Sequence, residues 1–316
     1  MSITNFVTLF VVLLAGHSNA FADPPVAGGP PARLDLEDSR FAALKPHREL
    51  IEHRKLLRGF VSIAPLPGGR QAIVLRGLTA TTPLMFFLDT SGRVELVDEE
   101  PIRGFKGYNY GAAVVAGPGE DVLLYWFGTE HRAIHGRLFS SKGAILWTTA
   151  LAAITMDHRD KEIRFDNIET VHWKGQGWLL VNCDRVACYI RLFDWTGKPR
   201  WSQPLVLDCP HQTAVTLLQD TKSTVFMSWV QFSRDAERHQ HNSYFANRIT
   251  NAGKFVWNEA VRLGEAPSYY MTGPQKPEFR LHAQGVEAVL SRGTAGDAIY
   301  NVTKYHVVVG PDGKLY

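Results

Sequence analysis

The stretch Phe193–Trp201, FDWTGKPRW, places a Thr-Gly turn between two short apolar pieces, with a tryptophan four residues after the glycine. The same arrangement occurs in FSSKGAILW, which ends at Trp147, and in ITNAGKFVW, which ends at Trp257. Two incomplete copies are LDTSGRVEL, with Leu96 in the tryptophan position, and VGPDGKLY, in which Tyr316 stands one residue before it. One turn therefore occurs five times along the chain.

The spacing of these turns predicts a repeat architecture. Their glycines lie 51, 54, 56 and 60 residues apart, and each unit contains four short runs rich in β-branched and aromatic residues, such as IETVHW, WLLVN, CYIRLF and PRWSQPLVL. A period in this range with short strands and glycine turns is typical of propeller blades. We expect an all-β fold over residues 58–316: a β-propeller of four-stranded antiparallel blades, with five blades, or six if residues 37–57 contain strands.

The layout resembles two groups of known propellers. One is the secreted bacterial β-propellers built from D-x-x-G-x-x-x-W blades, and the other is the tryptophan-docked, quinoprotein-like repeats, whose units end in T-G-x-x-x-W. Residues Thr196–Trp201 are the closest copy. The resemblance implies the architecture but not the oxidoreductase activity, because the quinone enzymes are much longer and carry an adjacent cysteine pair that this sequence lacks.

The N-terminal region is predicted to direct export. An apolar run, Phe6–Gly16, is followed by small residues in Ala20–Ala22, so residues 1–22 are interpreted as a signal peptide of a periplasmic or extracellular protein. Residues 23–57 are interpreted as a leader with a short helix around RELIEHRKLL. Within it, residues 32–36, ARLDL, are expected to close the ring as the missing outer strand of the last blade.

Three cysteines are present. Cys183 and Cys188 flank DRVA, a plausible hairpin loop, and facing residues of a hairpin can reach disulfide distance, which predicts a bridge between them and leaves Cys209 over. The alternative is three buried thiols that act as small apolar residues. The spacing of cysteines and histidines favours neither a metal site nor a cofactor.

Composition narrows the classes of partner. The net charge of +3 is too small to favour nucleic-acid binding, and no apolar run beyond the N-terminus is long enough to cross a membrane. We expect a monomer with a protein or glycan partner.

The long, varied loops are expected to share one face of the propeller, where binding residues would gather. Two groups of residues there are candidates. Aromatic platforms for a sugar or a protein are Tyr108, Tyr110, Tyr269 and Tyr270, and weak candidates for acid–base catalysis are Asp157, His158 and Asp166. The competing interpretations are tyrosines packed over blade edges and a solvated charge cluster.

Known hydrolase, nucleotide and calcium motifs are missing from the sequence. The leading hypothesis is therefore an exported non-enzymatic binding or scaffold protein that recognises a protein or glycan through its loop-rich face. The alternative is a glycan-processing enzyme, a glycosidase or lyase, with carboxylates at a central funnel.

Overall fold

The computed structural model describes residues 32–57, 59–77, 82–105, 109–128, 133–153, 168–183, 187–209, 212–234, 240–267, 278–293 and 302–316. Its helices are short: two 3-10 helices, Ser39–His47 and Pro67–Gly69, and α1, Arg48–His53. The strands are β1 Ala32–Arg33, β2 Phe60–Pro65, β3 Gln71–Arg76, β4 Leu84–Leu88, β5 Val94–Asp98, β6 Asn109–Ala116, β7 Val122–Gly128, β8 Ala133–Phe139, β9 Ile145–Ala153, β10 Ile168–Trp173, β11 Gly177–Cys183, β12 Ala187–Phe193, β13 Leu205–Asp208, β14 Gln212–Gln219, β15 Thr224–Arg234, β16 Gln240–Thr250, β17 Val261–Pro267, β18 Glu278–His282, β19 Gly285–Gly293 and β20 Val302–Val309.

The strands form five consecutive antiparallel sheets, which confirms the all-β class and the propeller-like arrangement. Sheet one contains β1–β5, sheet two β6–β9, sheet three β10–β13, sheet four β14–β17 and sheet five β18–β20, each in chain order. The first strands of neighbouring sheets, β2, β6, β10 and β14, contact one another in sequence, so they are the inner strands of the array.

Each pair of neighbouring sheets shares one apolar core. Alternate residues of a strand point to opposite sides, and both sides of the middle strands are covered, which explains why runs such as VLLYWFG show little alternation. Trp126 lies in the core between sheets one and two, and its chain neighbour Tyr125 lies in the core between sheets two and three. Further cores join sheets three and four and sheets four and five.

The five predicted turns have one backbone geometry. In the third, the Gly197 amide donates to the Asp194 carbonyl at 3.0 Å and the Asp194 amide donates to the Lys198 carbonyl at 2.9 Å. The same two bonds recur in the turns at Gly92, Gly143, Gly253 and Gly313, and all five glycines have φ between 73° and 82°. Glycine is favoured because this left-handed backbone is strained for other residues.

The tryptophans of the repeat bind the turn of the following sheet. The Trp147 indole Nε1 donates to the Trp195 carbonyl at 2.9 Å, and its ring lies 3.2 Å from where a Cβ on Gly197 would be. Trp201 repeats this contact with the Asn251 carbonyl and Gly253. Trp257 repeats it with the Pro311 carbonyl and Gly313, whereas Leu96 contacts Gly143 without a hydrogen bond. Glycine is thus needed for space as well as for its backbone angle.

The expected burial of these tryptophans needs correction. We expect side chains largely buried at the start of the fourth strands, but Trp147, Trp201 and Trp257 are half-buried. Trp147 lies in β9, and the other two lie in the bends before β13 and β17. Each ring covers a surface turn at the rim of the next sheet, so its outer face stays accessible to water.

The predicted closing strand pairs elsewhere. Ala32 and Arg33 form β1 and pair with Val61 and Phe60 in β2, so residues 32–36 join sheet one and not the last sheet. The reason is a missing neighbour: the side of sheet one that faces away from sheet two is apolar and is covered by the N-terminal segment. The buried residues of this segment are Leu34, Leu36, Phe41, Leu44, Ile51 and Leu56. The expected helix around residues 48–53 is confirmed.

Sheet five is the last sheet of the array, and its side facing away from sheet four is polar. Three strands are present as expected, and Leu315 makes a bridge to Val309 where a fourth strand would begin. One side of the sheet packs on sheet four. The opposite side carries charged, exposed residues, including Glu278, which is 2.9 Å from Lys304, and His306, which is 2.7 Å from Glu287.

Trp147→Ala should lower the free energy of unfolding by about 3 kcal/mol, because it removes a large ring and one hydrogen bond that join sheets two and three. Urea denaturation measures the change. The control is Leu146→Ala in the same strand, where the side chain is 51% exposed and a change below about 0.5 kcal/mol is expected. Equal effects of the two substitutions would contradict the docking role.

Leu44→Ala should cost about 2–5 kcal/mol, because Leu44 is fully buried between the N-terminal segment and sheet one. The matched control, Leu57→Ala, removes a side chain that is 39% exposed. If thermal unfolding of Leu44→Ala matched that of the parent, the N-terminal segment would not stabilise sheet one.

Candidate functional site at the loop-rich face

The two ends of the sheets differ. In sheet three, Ile168 at the start of β10 lies opposite Asn182, and Ala187 at the start of β12 lies opposite Asp208. The connections between sheets and the loops between second and third strands therefore share one end, which we call the loop-rich face. The repeated glycine turns share the other end.

Nearly all the residues predicted for this face fall outside the described part of the chain. These are Asp157, His158, Asp166, Tyr108, Tyr269 and Tyr270. Tyr110 belongs to β6, where it pairs with Phe127, but its side chain is not described. The assignments of these seven residues stay predictions.

The predicted disulfide is confirmed. Cys183 and Cys188 are directly opposite in the β11–β12 hairpin and are bridged. Cys209 lies outside the bridge and is buried. All three belong to the core between sheets three and four, close to the loop-rich face.

Buried polar side chains collect in the strand segments next to the loop-rich face. Each is at most 9% exposed, and the set is Asp98, His135, Glu169, Thr170, Asn182, Asn242 and Ser243. Burial of polar groups costs free energy unless other polar groups compensate it. Within the described residues, the side-chain oxygens of Asn182 and Asn242 accept no hydrogen bond. The opposite end also contains a buried ion pair, Arg248–Asp220 at 2.7 Å, so buried polar groups are not confined to the loop-rich face.

Glu169 is the buried carboxylate of an inner strand. It is the second residue of β10, it pairs with Val181, and it is 7% exposed. Val171 and Trp173, on the same side of β10, lie in the core between sheets three and four. The carboxylate therefore lies at the end of the seam between these two sheets, where the loop-rich face begins.

Tyr125 lies across sheet three from this seam and interacts with Glu169. Burial raises the pKa of the Tyr125 phenol far above its usual value, and the charge of Glu169 raises it further. The Thr170 side chain and the positive charge of Arg76 act in the opposite direction on this pKa. Arg76 lies 4.3 Å above the Phe60 ring in sheet one. The pKa of the Tyr125 phenol in sheet two is thus influenced by a carboxylate of sheet three and a guanidinium of sheet one.

A second buried cation has a structural role. The Arg137 guanidinium donates to the carbonyls of Pro101 and Arg103 at 2.8 and 2.9 Å and to the Thr148 hydroxyl at 2.8 Å. Its pKa is lowered, mainly by burial and further by the nearby charge of Arg103. These bonds hold the connection between sheets one and two against β8, so Arg137 is not available to bind a ligand.

Sequence reasoning missed Glu169, Tyr125 and Arg76. The only sequence signal for Glu169 is its position inside the apolar run IETVHW. A strand with one side exposed to water would also contain such a carboxylate, so the signal does not indicate a buried site. Tyr125 and Arg76 are 44 and 93 residues from Glu169 in the chain. Their proximity follows from the packing of sheets, which spacing along one strand does not reveal.

The described ranges contain neither a metal cluster nor a membrane-spanning helix. There, no three histidine, cysteine or acidic side chains lie close enough together to hold a metal ion. In the same ranges, no helix has the length and apolar character needed to cross a membrane.

No protein-family model and no curated protein sequence matches the chain. Among solved structures, a thermostable family-43 glycoside hydrolase is similar, with 9% identity, a TM-score of 0.41 and coverage of 81% of this chain and 92% of the other. An α-L-arabinofuranosidase from Lactobacillus brevis has 10% identity, a TM-score of 0.43 and the same coverage. A puromycin hydrolase has 15% identity and a TM-score of 0.44 over 92% of this chain and 42% of its own.

These similarities correct the leading hypothesis from the sequence. That hypothesis was a non-enzymatic binding or scaffold protein, whereas the three similar structures named above are hydrolases, among them a family-43 glycoside hydrolase and an α-L-arabinofuranosidase. The binding-only interpretation is therefore abandoned. At these identities and TM-scores the likeness assigns no activity, so any activity of this chain has to be argued from its own residues.

The stability of the protein should fall steeply above about pH 10. Burial and the neighbouring Tyr305 raise the pKa of Tyr244 to about 12, and the pKa of Tyr125 is also raised. A raised folded-state pKa favours the protonated phenol, so this contribution is complete below pH 10 and is lost as the pH rises towards the folded-state pKa. Each phenol contributes up to about 1.4 kcal/mol per pH unit.

Urea denaturation between about pH 8 and 11 tests this dependence. Tyr125→Phe and Tyr244→Phe should each flatten the loss of stability, whatever their effect at neutral pH. Tyr316→Phe, at a side chain that is 62% exposed, is the control and should keep the parental slope. Parental slopes in both buried variants would contradict the assigned shifts.

Proposed function

We propose that this protein is a glycan-processing enzyme, a glycosidase or lyase, that acts at the loop-rich face of its five propeller-like sheets. The observation that carries the proposal is the buried Glu169 carboxylate on inner strand β10, in the electrostatic environment of Tyr125 and Arg76. Cleavage of a glycosidic bond needs a group that gives or takes a proton in a site partly withdrawn from water.

The position of Glu169 supports an acid–base role. Glu169 is 7% exposed, so its carboxylate is largely withdrawn from water, as an acid–base residue in a closed site is. The residue lies at the end of an inner strand, and the inner strands of neighbouring sheets contact one another, so residues at these strand ends come from several sheets. In this role Glu169 donates a proton to the leaving glycosidic oxygen in a glycosidase reaction, or takes the proton from the carbon next to the uronate carboxyl group in a lyase reaction.

Tyr125 and Arg76 act on the same environment from sheets two and one. A phenol with a raised pKa carries no charge at neutral pH, so Tyr125 adds no second negative charge to the surroundings of Glu169. Arg76 supplies the positive charge that compensates negative charge developing on the substrate or carried by a uronate.

A glycosidase also needs a second carboxylate. Asp166 precedes Glu169 by three residues and Asp157 precedes it by twelve, so the connection before β10 contains the predicted candidates, together with His158. Carboxyl groups about 5–5.5 Å apart give retention, and those about 6.5–9.5 Å apart give inversion. Tyr108, Tyr110, Tyr269 and Tyr270 are assigned here to stacking on sugar rings.

The experiment is a panel of neutral and acidic polysaccharides, assayed for new reducing ends and for the unsaturated uronate that only a lyase forms. We expect turnover on at least one polymer, and a fall of 10²–10⁴-fold in kcat for Glu169→Gln, on the order expected for loss of an acid–base residue. Glu259→Gln changes an exposed carboxylate outside the site and should retain parental turnover.

Two results would contradict the proposal. One is the lack of turnover on every polymer by the folded, exported protein. The other is turnover that Glu169→Gln and Glu259→Gln leave equally unchanged, which would remove Glu169 from the reaction. Asp157→Ala and Asp166→Ala, measured in the same assay, decide which of them is the second carboxylate.

A further inference from the structure

The three cysteine sulfurs lie next to one another. The Cys183–Cys188 disulfide joins β11 to β12, and the Sγ atom of Cys209 lies 3.2 Å from Sγ of Cys188. This separation is shorter than van der Waals contact between two sulfur atoms. Cys188 also pairs across β12–β13 with Leu207, so Cys209 follows the residue opposite Cys188 by two positions. A thiol is thus held against one sulfur of a formed disulfide.

We propose that the disulfide isomerises within the folded protein, so that Cys188 is bridged alternately to Cys183 and to Cys209. The Cys209 thiolate attacks Sγ of Cys188, the Cys188–Cys209 bond forms, and the Cys183–Cys188 bond breaks with its electron pair on Cys183. Cys183 takes up the proton that Cys209 releases. The number of disulfides and thiols is unchanged, so no oxidant or reductant is consumed.

The surroundings favour an internal exchange over reaction with dissolved thiols. Cys183, Cys188 and Cys209 are 7%, 0% and 2% exposed, so a reagent from solution reaches them poorly. Internal attack needs only the approach that the fold already provides. The attacking species is the thiolate, so the exchange is faster at higher pH.

The two isomers constrain different parts of the loop-rich face. The bridge in place closes the β11–β12 hairpin across residues 184–186. The alternative bridge would join β12 to the residue that follows β13, where the chain leaves sheet three for β14. Exchange therefore transfers the covalent constraint from a hairpin to the connection between two sheets and places the thiol on Cys183. Glu169 belongs to the inner strand of the same sheet.

Variant proteins that keep two cysteines test whether the alternative bridge can form. Cys183→Ser, exported as the full chain into an oxidising compartment, is denatured in acid and alkylated without reductant, and its mass is measured. We expect no alkylation, because Cys188 and Cys209 are bridged. Cys209→Ser should also show none, since it keeps the original bridge. The Cys183→Ser, Cys209→Ser double variant must accept one label, which shows that the reagent reaches Cys188.

The parent protein supplies a test that does not depend on the folding of any variant. Native protein is incubated at about pH 7, 8 and 9, quenched in acid, alkylated and mapped by peptide mass. We expect label on Cys183 as well as Cys209, with the approach to equilibrium about tenfold faster per pH unit below the thiol pKa. Label on Cys209 alone at every pH, or two alkylated thiols in folded Cys183→Ser, would overturn the proposal.

Discussion

The contact on which the rest of the architecture depends is that of a large side chain on the turn glycine of the next sheet. Trp147 rests on Gly197, Trp201 on Gly253 and Trp257 on Gly313, and each indole also donates a hydrogen bond to that turn. A shift of one residue in the segment that carries the tryptophan would lose both the indole hydrogen bond and the contact with the glycine. The docking therefore fixes the position of each sheet on its neighbour at the rim, while the apolar cores fill the space towards the inner strands.

Fixed sheets are a condition for the candidate site, because its groups come from separate repeats. Glu169 belongs to sheet three, Tyr125 to sheet two and Arg76 to sheet one, and no local turn or helix holds them together. The effect of Glu169 and Arg76 on the pKa of the Tyr125 phenol therefore depends on how the sheets pack against one another. Loss of the half-buried Trp147 at the rim would act on the same seam as Tyr125, since Trp147 packs against the core that contains it.

Much of the fold could be predicted, because the repeated turn is a local signal. The Gly-to-Trp spacing identified the five units, the facing positions of Cys183 and Cys188 identified the bridge, and both depend on residues close together in the chain. The pairing of residues 32–33 with β2 could not be derived in this way. It depends on which side of which sheet lacks a neighbour, and strand propensity carries no information about that.

The site was less predictable for a related reason. Tyrosines and acidic residues in long polar loops are predicted to be exposed and are therefore chosen as candidates. Glu169 lies inside an apolar run that predicts a buried core strand, so it is not chosen. Its role depends on an end-of-strand position and on side chains more than forty residues away. Composition and spacing identify candidate chemistry in one segment, but they do not bring several segments together.

The two ends of the sheet array differ in a way that bears on self-association. A stack of repeated sheets with an apolar side at each end would let the last sheet of one molecule add to the first sheet of another, and such head-to-tail contacts grow into fibres when they do not close. Here the N-terminal segment covers the apolar side of sheet one with Phe41, Leu44 and Ile51, and the far side of sheet five carries Glu278, Arg280, Lys304 and His306. Neither described end thus presents the apolar side that such head-to-tail contacts need.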